Sequence, residues 1–350
     1  MPARPEGFSL ENRLEGSKRS GDGLFPLFNT IKIYIESHID HKLKKPILTG
    51  KPHLVVGLSG GPDSIFLLYF LKHLADEKKV TITAAHLNHG WRESAGDDEQ
   101  FCRDLCENLG ISIVVSHAKN LTVILKENGS QEETGRKLRR HFFNKVRLER
   151  KADYIALAHH QQDQQETFFM RLIRGCSLSG LTGIKPVQNL YVRPLLKTPK
   201  KEILQFLDEN KITYQIDPTN LSEKFLRNRI RMHLLPALQK CDPRFDQKFE
   251  HSLEQLQEED DFLQKLAHEA FETVFDHELC GDKKKFESLE TTLQKHLLIM
   301  WLNKNQVSYT PSTSFLNEMI RFVASDRGGS HQLGQHWSIR KRQNVFWIET

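Results

Sequence analysis

Leu54-Val55-Val56-Gly57-Leu58, Ser59-Gly60-Gly61-Pro62-Asp63-Ser64 and Ile65-Phe66-Leu67-Leu68 follow one another without a break. An apolar run, a glycine turn and a second apolar run in this order predict a buried strand, a tight loop and a helix start. Such a loop is an anion site. Glycines let the backbone turn with positive φ and approach a ligand closely. The first N–H groups of the following helix point at that ligand, and the helix dipole favours negative charge there. Ser59 and Ser64 add hydroxyl donors, and Asp63 can hold a metal that neutralises phosphate. No lysine follows the glycines, so the loop is not of the Walker type, which needs G-x-x-x-x-G-K-[ST].

Working outward, the pattern becomes α/β. Strands are predicted at 54–57, 81–87, 112–115 and 154–158, with helices at 63–74, 93–108 and 131–150 between them. Alternation at these lengths argues for a doubly wound, mostly parallel sheet, whose ligands bind beyond the carboxyl ends of the strands. The glycine loop, His86-Leu87-Asn88-His89-Gly90 and His159-His160 all fall at such ends. An amphipathic helix over 25–45 precedes the sheet, with Phe28, Ile31, Ile35 and Ile39 on one face. Helices at 164–174 and 200–210 follow it, separated by a small-residue loop at 175–183. Near Asp242-Pro243 the composition shifts to a charged, helical pattern with spaced leucines (Leu253, Leu256, Leu263, Leu266). The chain thus divides into a disordered extension at 1–24, a nucleotide-binding domain at 25–240 and a smaller helical or mixed domain at 241–350. The last of these ends in a hairpin turning over 340–343.

Composition bounds the class. The 350 residues are 38% hydrophobic and 27% charged, enough for two or three soluble domains. No run of about 18 apolar residues marks a membrane span. The formal charge of +5 is only mildly basic. Three clusters are more telling: Arg136-Lys137-Leu138-Arg139-Arg140-His141, Arg227-Asn228-Arg229-Ile230-Arg231 and Arg340-Lys341-Arg342. Each alone reads equally well as a solvated face; beside an anion loop they favour a polyanionic substrate. The five cysteines, Cys102, Cys106, Cys176, Cys241 and Cys280, match no zinc or disulfide spacing. They fit a reducing cytoplasm.

The second informative segment is His159-His160-Gln161-Gln162-Asp163-Gln164-Gln165-Glu166-Thr167. Asp163 and Glu166 are three apart at a helix start and share a face. Two carboxylates there can bind magnesium, hold a cationic amine near phosphates, or simply cap the helix, since acids favour a first turn.

The loop Ser-Gly-Gly-x-Asp-Ser resembles that of the N-type ATP pyrophosphatases. Within them the chain resembles the tRNA(Ile)-lysidine synthetases. The matching blocks are His86 to Gly90, Glu133-x-x-Arg136-x-x-Arg139 with Phe142-Phe143, and His159-His160-x-x-Asp163-x-x-Glu166-Thr167. They continue with Arg171-Leu172-x-Arg174-Gly175, Gly180-Leu181-x-Gly183, Arg193-Pro194-Leu195-Leu196, Asp217-x-x-Asn220, and Arg227 to Arg231 with Leu234-Leu235-Pro236. They run in order from about Leu54 to Pro236. The chain departs from the usual pattern at Gln162, where an aspartate is common, and at Arg140, where a tyrosine is.

The resemblance implies an adenine nucleotide alpha hydrolase-like fold. It implies a cytoplasmic ligase that uses ATP and Mg2+ to join L-lysine to carbon 2 of the wobble cytidine in the CAU anticodon of tRNA(Ile), and a homodimer. It places Ser59, Gly60, Gly61, Pro62, Asp63, Ser64 and His86 at ATP, and Asp63 and Asp163 at the metal. Asp163 and Glu166 fall at the lysine amine, and Arg136 at the adenylate. Arg171, Arg174, Arg193, Arg227, Arg229 and Arg231 fall at tRNA phosphates, and the domain at 241–350 is expected to bind tRNA. A tRNA thiolase, the nearest alternative, would be expected to carry paired cysteines, and the sequence holds no C-x-x-C.

Overall fold

A computed structural model describes residues 26–91, 95–121, 131–216, 222–307, 309, 312–326, 328–334 and 336–349. The extension expected at 1–24 and the Asp217-x-x-Asn220 block lie outside these residues. The chain divides into two compact units. One comprises residues up to 175 together with 183–245; the other comprises 176–182 and 246 onward.

In the first unit, α1 (Pro26–His38) leads to β1 (His53–Gly57), α2 (Pro62–Asp76), β2 (Thr81–Asn88), α3 (Ala95–Asn108), β3 (Ile113–His117), α4 (Gln131–Glu149) and β4 (Tyr154–Ala156). After these come α5 (Gln161–Arg174), the short strands β5 (Val187–Gln188) and β6 (Tyr191–Val192), and α7 (Lys200–Glu209). The label α6 belongs to the short helix Leu178–Leu181, in the other unit. The sheet order is β3-β2-β1-β4-β6-β5. All pairings are parallel except the β5–β6 hairpin at the edge.

β1 is central, and its Leu54, Val55 and Val56 are fully buried. Successive side chains of a strand face opposite sides, so two cores form. Leu54 and Val56 join Phe28, Phe66, Phe70 and Phe206 from α1, α2 and α7. There the Phe28 and Phe66 rings meet edge to face at 5.8 Å. Val55 joins Leu138, Phe142, Phe143 and Val146 of α4 on the other side. Cys102 and Cys106 of α3 are fully buried in the first core, and burial pushes both thiols up to about 12.

The chain builds β1 to β3 to one side and then places β4 against the free side of β1. The order therefore reverses between β1 and β4, where a crevice opens beyond the strand ends. β4 stops at Ala156, short of the expected 158. One further bond, Leu157 N–H to the Val192 carbonyl at 3.0 Å, extends the ladder before the chain turns away. α5 begins at Gln161, three residues before the expected 164, because Asp163 accepts the His160 N–H at 2.9 Å and caps the added turn.

In the second unit, α10 (Phe245–Val274), α12 (Thr291–Lys304) and α13 (Thr313–Ala324) surround Phe271, Phe275, Trp301 and Phe346. The labels α8, α9 and α11 belong to Leu226–Arg229, Leu235–Cys241 and Lys283–Glu287. Residues 176–182 join this unit through Ser179, which donates to Asp260, and through Gln257, which donates to the Thr182 carbonyl at 2.8 Å.

A four-stranded antiparallel sheet, ordered β7-β10-β9-β8, completes the second unit. Its strands are β7 (Gly281–Asp282), β8 (Gly329–Gln332), β9 (Ser338–Arg342) and β10 (Val345–Glu349). The turn expected over 340–343 is displaced: residues 340–342 are strand, and the chain reverses after them through Gln343, at φ 55°. Alternation then splits the basic cluster. Arg340 and Arg342 point outward, while Lys341 is buried and donates to the carbonyls of Phe322 (2.7 Å) and Val323 (3.0 Å). That lysine satisfies the last carbonyls of α13 and is no polyanion contact. No described helix is long and apolar enough to cross a membrane.

Candidate active site

The loop after β1 folds tightly upon itself. Gly60 takes φ +84° and Gly61 is the N-cap of α2, with Pro62 in its first turn. Proline suits that position because its missing N–H would have no intrahelical partner. Ser64 Oγ accepts the Ser59 N–H at 3.1 Å and donates to the Gly61 carbonyl at 2.9 Å. The two serine oxygens lie 3.0 Å apart. Gln215 closes the loop from outside, its N–H donating to the Gly60 carbonyl at 2.9 Å. The N–H groups of Asp63 and Ser64 belong to the first helical turn, which has no carbonyls one turn back to receive them.

Three carboxylates reach this crevice. Asp63 accepts from Lys200 Nζ, and its other oxygen lies 3.6 Å from His160 Nε2. Asp163 lies 3.6 Å from the same nitrogen. The loop after β1 and the helix after β4 thus converge on one imidazole, whose Nδ1 is buried without a hydrogen-bond partner. Burial alone would raise the Asp163 carboxyl, but His160, its backbone N–H and His159 outweigh that and hold it below the usual range. Asp163 therefore stays ionised, with one oxygen capping α5. Burial, with Arg193, Arg136 and Arg227 nearby, brings His159 down to about 4, so it is neutral at pH 7.

Glu166 is fully buried. Arg231 grips it bidentately, at 2.6 and 3.1 Å, and Arg227 stands 3.4 Å away. Burial and the Asp163 charge raise the Glu166 carboxyl while both arginines oppose them. Arg227 and Arg231 share a face across the junction of α8 with a π-helical turn at Ile230–Leu234, while Arg229 faces outward and donates to the Glu223 carbonyl at 2.9 Å.

The other sites predicted from sequence are placed as follows. His86 is buried, and its Nδ1 donates to the Leu58 carbonyl at 3.0 Å. That bond fixes the tautomer and leaves Nε2 without a partner. Arg136 and Arg174 are exposed. Arg171 donates to the Gly183 carbonyl at 3.0 Å. Arg193 is only 4% exposed and donates to the Lys185 carbonyl at 2.8 Å, so the structure turns it inward to fasten the edge hairpin.

Sequence reasoning missed Lys200. Its signal was electrostatic: a lysine heads α7, the end where the helix dipole disfavours cations, so a compensating anion was due. Lys200 also borders an open surface depression, with Gln162, Lys201, Leu204 and Asp208.

Among the described residues, no group of three or more His, Cys, Asp or Glu side chains could hold a metal by itself. Asp63 and Asp163 nevertheless fit Mg2+, which binds through one or two carboxylates together with water and substrate phosphates.

A family model described as the PP-loop domain matches residues 33–238. The chain belongs to the PP-loop domain family. This PP-loop chain is 34% identical over 302 residues to a protein of Bacillus thuringiensis subsp. konkukian named tRNA(Ile)-lysidine synthase, covering 83% of this chain and 63% of that protein. A Clostridium tetani protein of the same name is 40% identical over 188 residues, covering 53% of this chain and 40% of its own. The chain thus spans less than two thirds of these relatives' length. Among solved structures, a U34-tRNA thiolase of Methanococcus maripaludis superposes with a TM-score of 0.54 at 24% identity, over 66% of this chain and 80% of its own. That likeness concerns the fold.

Proposed function

We propose that this PP-loop protein uses ATP to ligate free L-lysine to carbon 2 of the wobble cytidine in the CAU anticodon of tRNA(Ile). One observation carries the reading: Asp63 of the phosphate loop and Asp163 of the helix after β4 meet at His160, each 3.6 Å from its Nε2. That juxtaposition sets a polyphosphate cradle against an ionised carboxylate able to receive an amine. The names of the Bacillus and Clostridium relatives support the same substrate.

In this reaction the cytosine O2 attacks the α-phosphate of ATP, and the α–β bond breaks to release pyrophosphate. The lysine ε-amine then attacks carbon 2, and AMP leaves with the former O2. Adenylation makes that oxygen a good leaving group. Ser59, Gly60, Gly61 and Ser64 donate to the phosphates, as fixed donors do for developing charge, and Lys200 adds a cation beside them. Asp63 and Asp163 would hold Mg2+, which supplies charge neutralisation at phosphate oxygens. Asp163 also faces the lysine amine, and Arg136 faces the adenylate. Glu166 acts through Arg231, whose guanidinium it fixes. His86 lines the nucleotide pocket. The exposed Arg174 and Arg229 meet tRNA phosphates, and a cytoplasmic setting follows from the substrates.

ATP–pyrophosphate exchange, measured with CAU-anticodon tRNA and labelled lysine, tests the reading. Exchange should require tRNA, and label should enter the RNA. Exchange without RNA would point instead to a small-molecule synthetase. Asp163→Asn keeps an oxygen acceptor for the His160 N–H but loses the charge, so it should fold and bind tRNA yet release no AMP. Full activity in that variant would remove Asp163 from the mechanism.

A further inference from the structure

Trp91 is large, apolar and 46% exposed, just beyond the end of β2. It is held firmly. One face stacks on His89, with ring centroids 4.4 Å apart and planes 23° from parallel. Its edge fits against α4 because residue 135 is glycine: a Cβ there would lie 2.5 Å from Trp91 Cη2 and 3.5 Å from His89 Cε1. Both His89 nitrogens are buried without hydrogen-bond partners. Burial, with Arg139 and His86 nearby, brings that imidazole down to about 4, so it is an uncharged stacking surface at neutral pH. The other face of the indole has no ring partner among the described residues.

The surroundings say what that face is for. Arg136 and Arg139 are exposed on α4, one residue and one turn after Gly135. Arg139 acts electrostatically on His89, and Arg136 on His159 beside Asp163. One cation, Arg139, thus lies beside the Trp91–His89 stack, and a second, Arg136, acts at the reaction site. An aromatic platform next to a cation is how proteins hold unpaired nucleic acid, with bases on rings and phosphates on cations. A mononucleotide is normally enclosed over most of its surface, whereas this ring is open to solvent, which favours the longer ligand.

We infer that the free face of Trp91 stacks on an unpaired base of the RNA substrate, with Arg139 receiving a flanking phosphate. The inference rests on the reading that RNA is the substrate, and deepens it by naming a base-binding surface.

The test uses the full chain and a fluorescent anticodon stem-loop RNA, read by anisotropy, with a nonhydrolysable ATP analogue titrated in parallel. Trp91→Leu should weaken RNA binding about tenfold or more, within the range measured for base–aromatic stacking. Trp91→Phe should retain most of the affinity, and both should bind the ATP analogue as the parent does. Gly135→Ala provides a second arm, because it pushes the ring away while alanine suits a helix better than glycine. It should weaken RNA binding without lowering the melting temperature.

Abasic substitution at each loop position in turn should reveal one site where removing the base weakens the parent but not Trp91→Leu. No such site, unchanged RNA affinity in Trp91→Leu, or a parent protein that binds no stem-loop would each overturn the inference. Matching loss of the ATP analogue would overturn it in favour of adenine. Labelled lysine entering full-length tRNA is scored separately. A stack without lysine transfer sinks the proposed reaction alone, and transfer without a stack sinks this inference alone.

Discussion

The Glu166–Arg231 pair offers a quantitative test because its two ends differ in solvation. The Glu166 side chain is 0% exposed, whereas Arg231 is 40% exposed. Breaking a buried ion pair typically costs about 3–5 kcal/mol, mostly the penalty of the charge left behind. The outcome should therefore depend on which charge remains. Glu166→Gln leaves a guanidinium that water reaches, and exposed charges contribute little, so the loss should be about 1–2 kcal/mol. Arg231→Met leaves a buried carboxylate with Arg227 at 3.4 Å, and should cost about 3 kcal/mol. The double variant leaves no orphan and should cost no more than Glu166→Gln alone. The coupling is then about 3 kcal/mol, at the upper end for contacting residues. Urea unfolding followed by far-ultraviolet circular dichroism measures all three. In thermal unfolding, at about 2–4 °C per kcal/mol for a domain of this size, Arg231→Met should lower the melting temperature by roughly 6–12 °C. Equal losses in the two single variants, or coupling under about 0.5 kcal/mol, would refute the argument from solvation.

Lys341→Met should destabilise the second unit by about 2–4 kcal/mol, because it strands the terminal carbonyls of α13 that the buried ammonium now satisfies; a melting curve unchanged from the parent's would count against that role. His89→Gln should alter the acid side of the stability profile. The imidazole takes a proton at pH 6.5 when unfolded but only at about 4 when folded, so the unfolded state binds more protons between those values. Stability is lost as pH falls from 6.5 to 4, and nothing is lost above 6.5. Denaturant midpoints of the variant should therefore fall less steeply than the parent's across that window, and parallel curves would exclude His89 as the source.

The parallel sheet was legible because its strands are buried on both faces and read as unbroken apolar runs, as in Leu54-Val55-Val56. The switch-point crevice was legible because the glycine loop and His159-His160 both follow such runs. Pairings between distant residues were not. Glu166 and Arg231 lie 65 positions apart, and no local pattern says that an acid at a helix start will be consumed by a guanidinium from a later helix. The sequence therefore sent one to an amine and the other to phosphate. Lys341 failed differently. A basic triplet looks solvated until a strand imposes its period of two, and the middle residue must then enter the core whatever its charge.

Lys200 shows why the phosphate loop depends on chain far beyond it. Asp63 stands in the turn meant for polyphosphate, and a bare carboxylate there would oppose the anion. Two like unit charges 4 Å apart repel by about 4 kcal/mol at an effective dielectric of 20. Lys200, 137 residues onward, contacts that carboxylate, just as Arg231 and Arg227 answer Glu166 one turn beyond Asp163. Both compensating sets come from the chain after the sheet is complete. A fragment ending at Arg174 would retain the glycine turn and His159-His160 but leave Asp63 without its lysine, so its loop would be electrostatically wrong for its ligand. The helices from Lys200 to Arg231 therefore belong to the phosphate site as fully as the strand and turn that announce it.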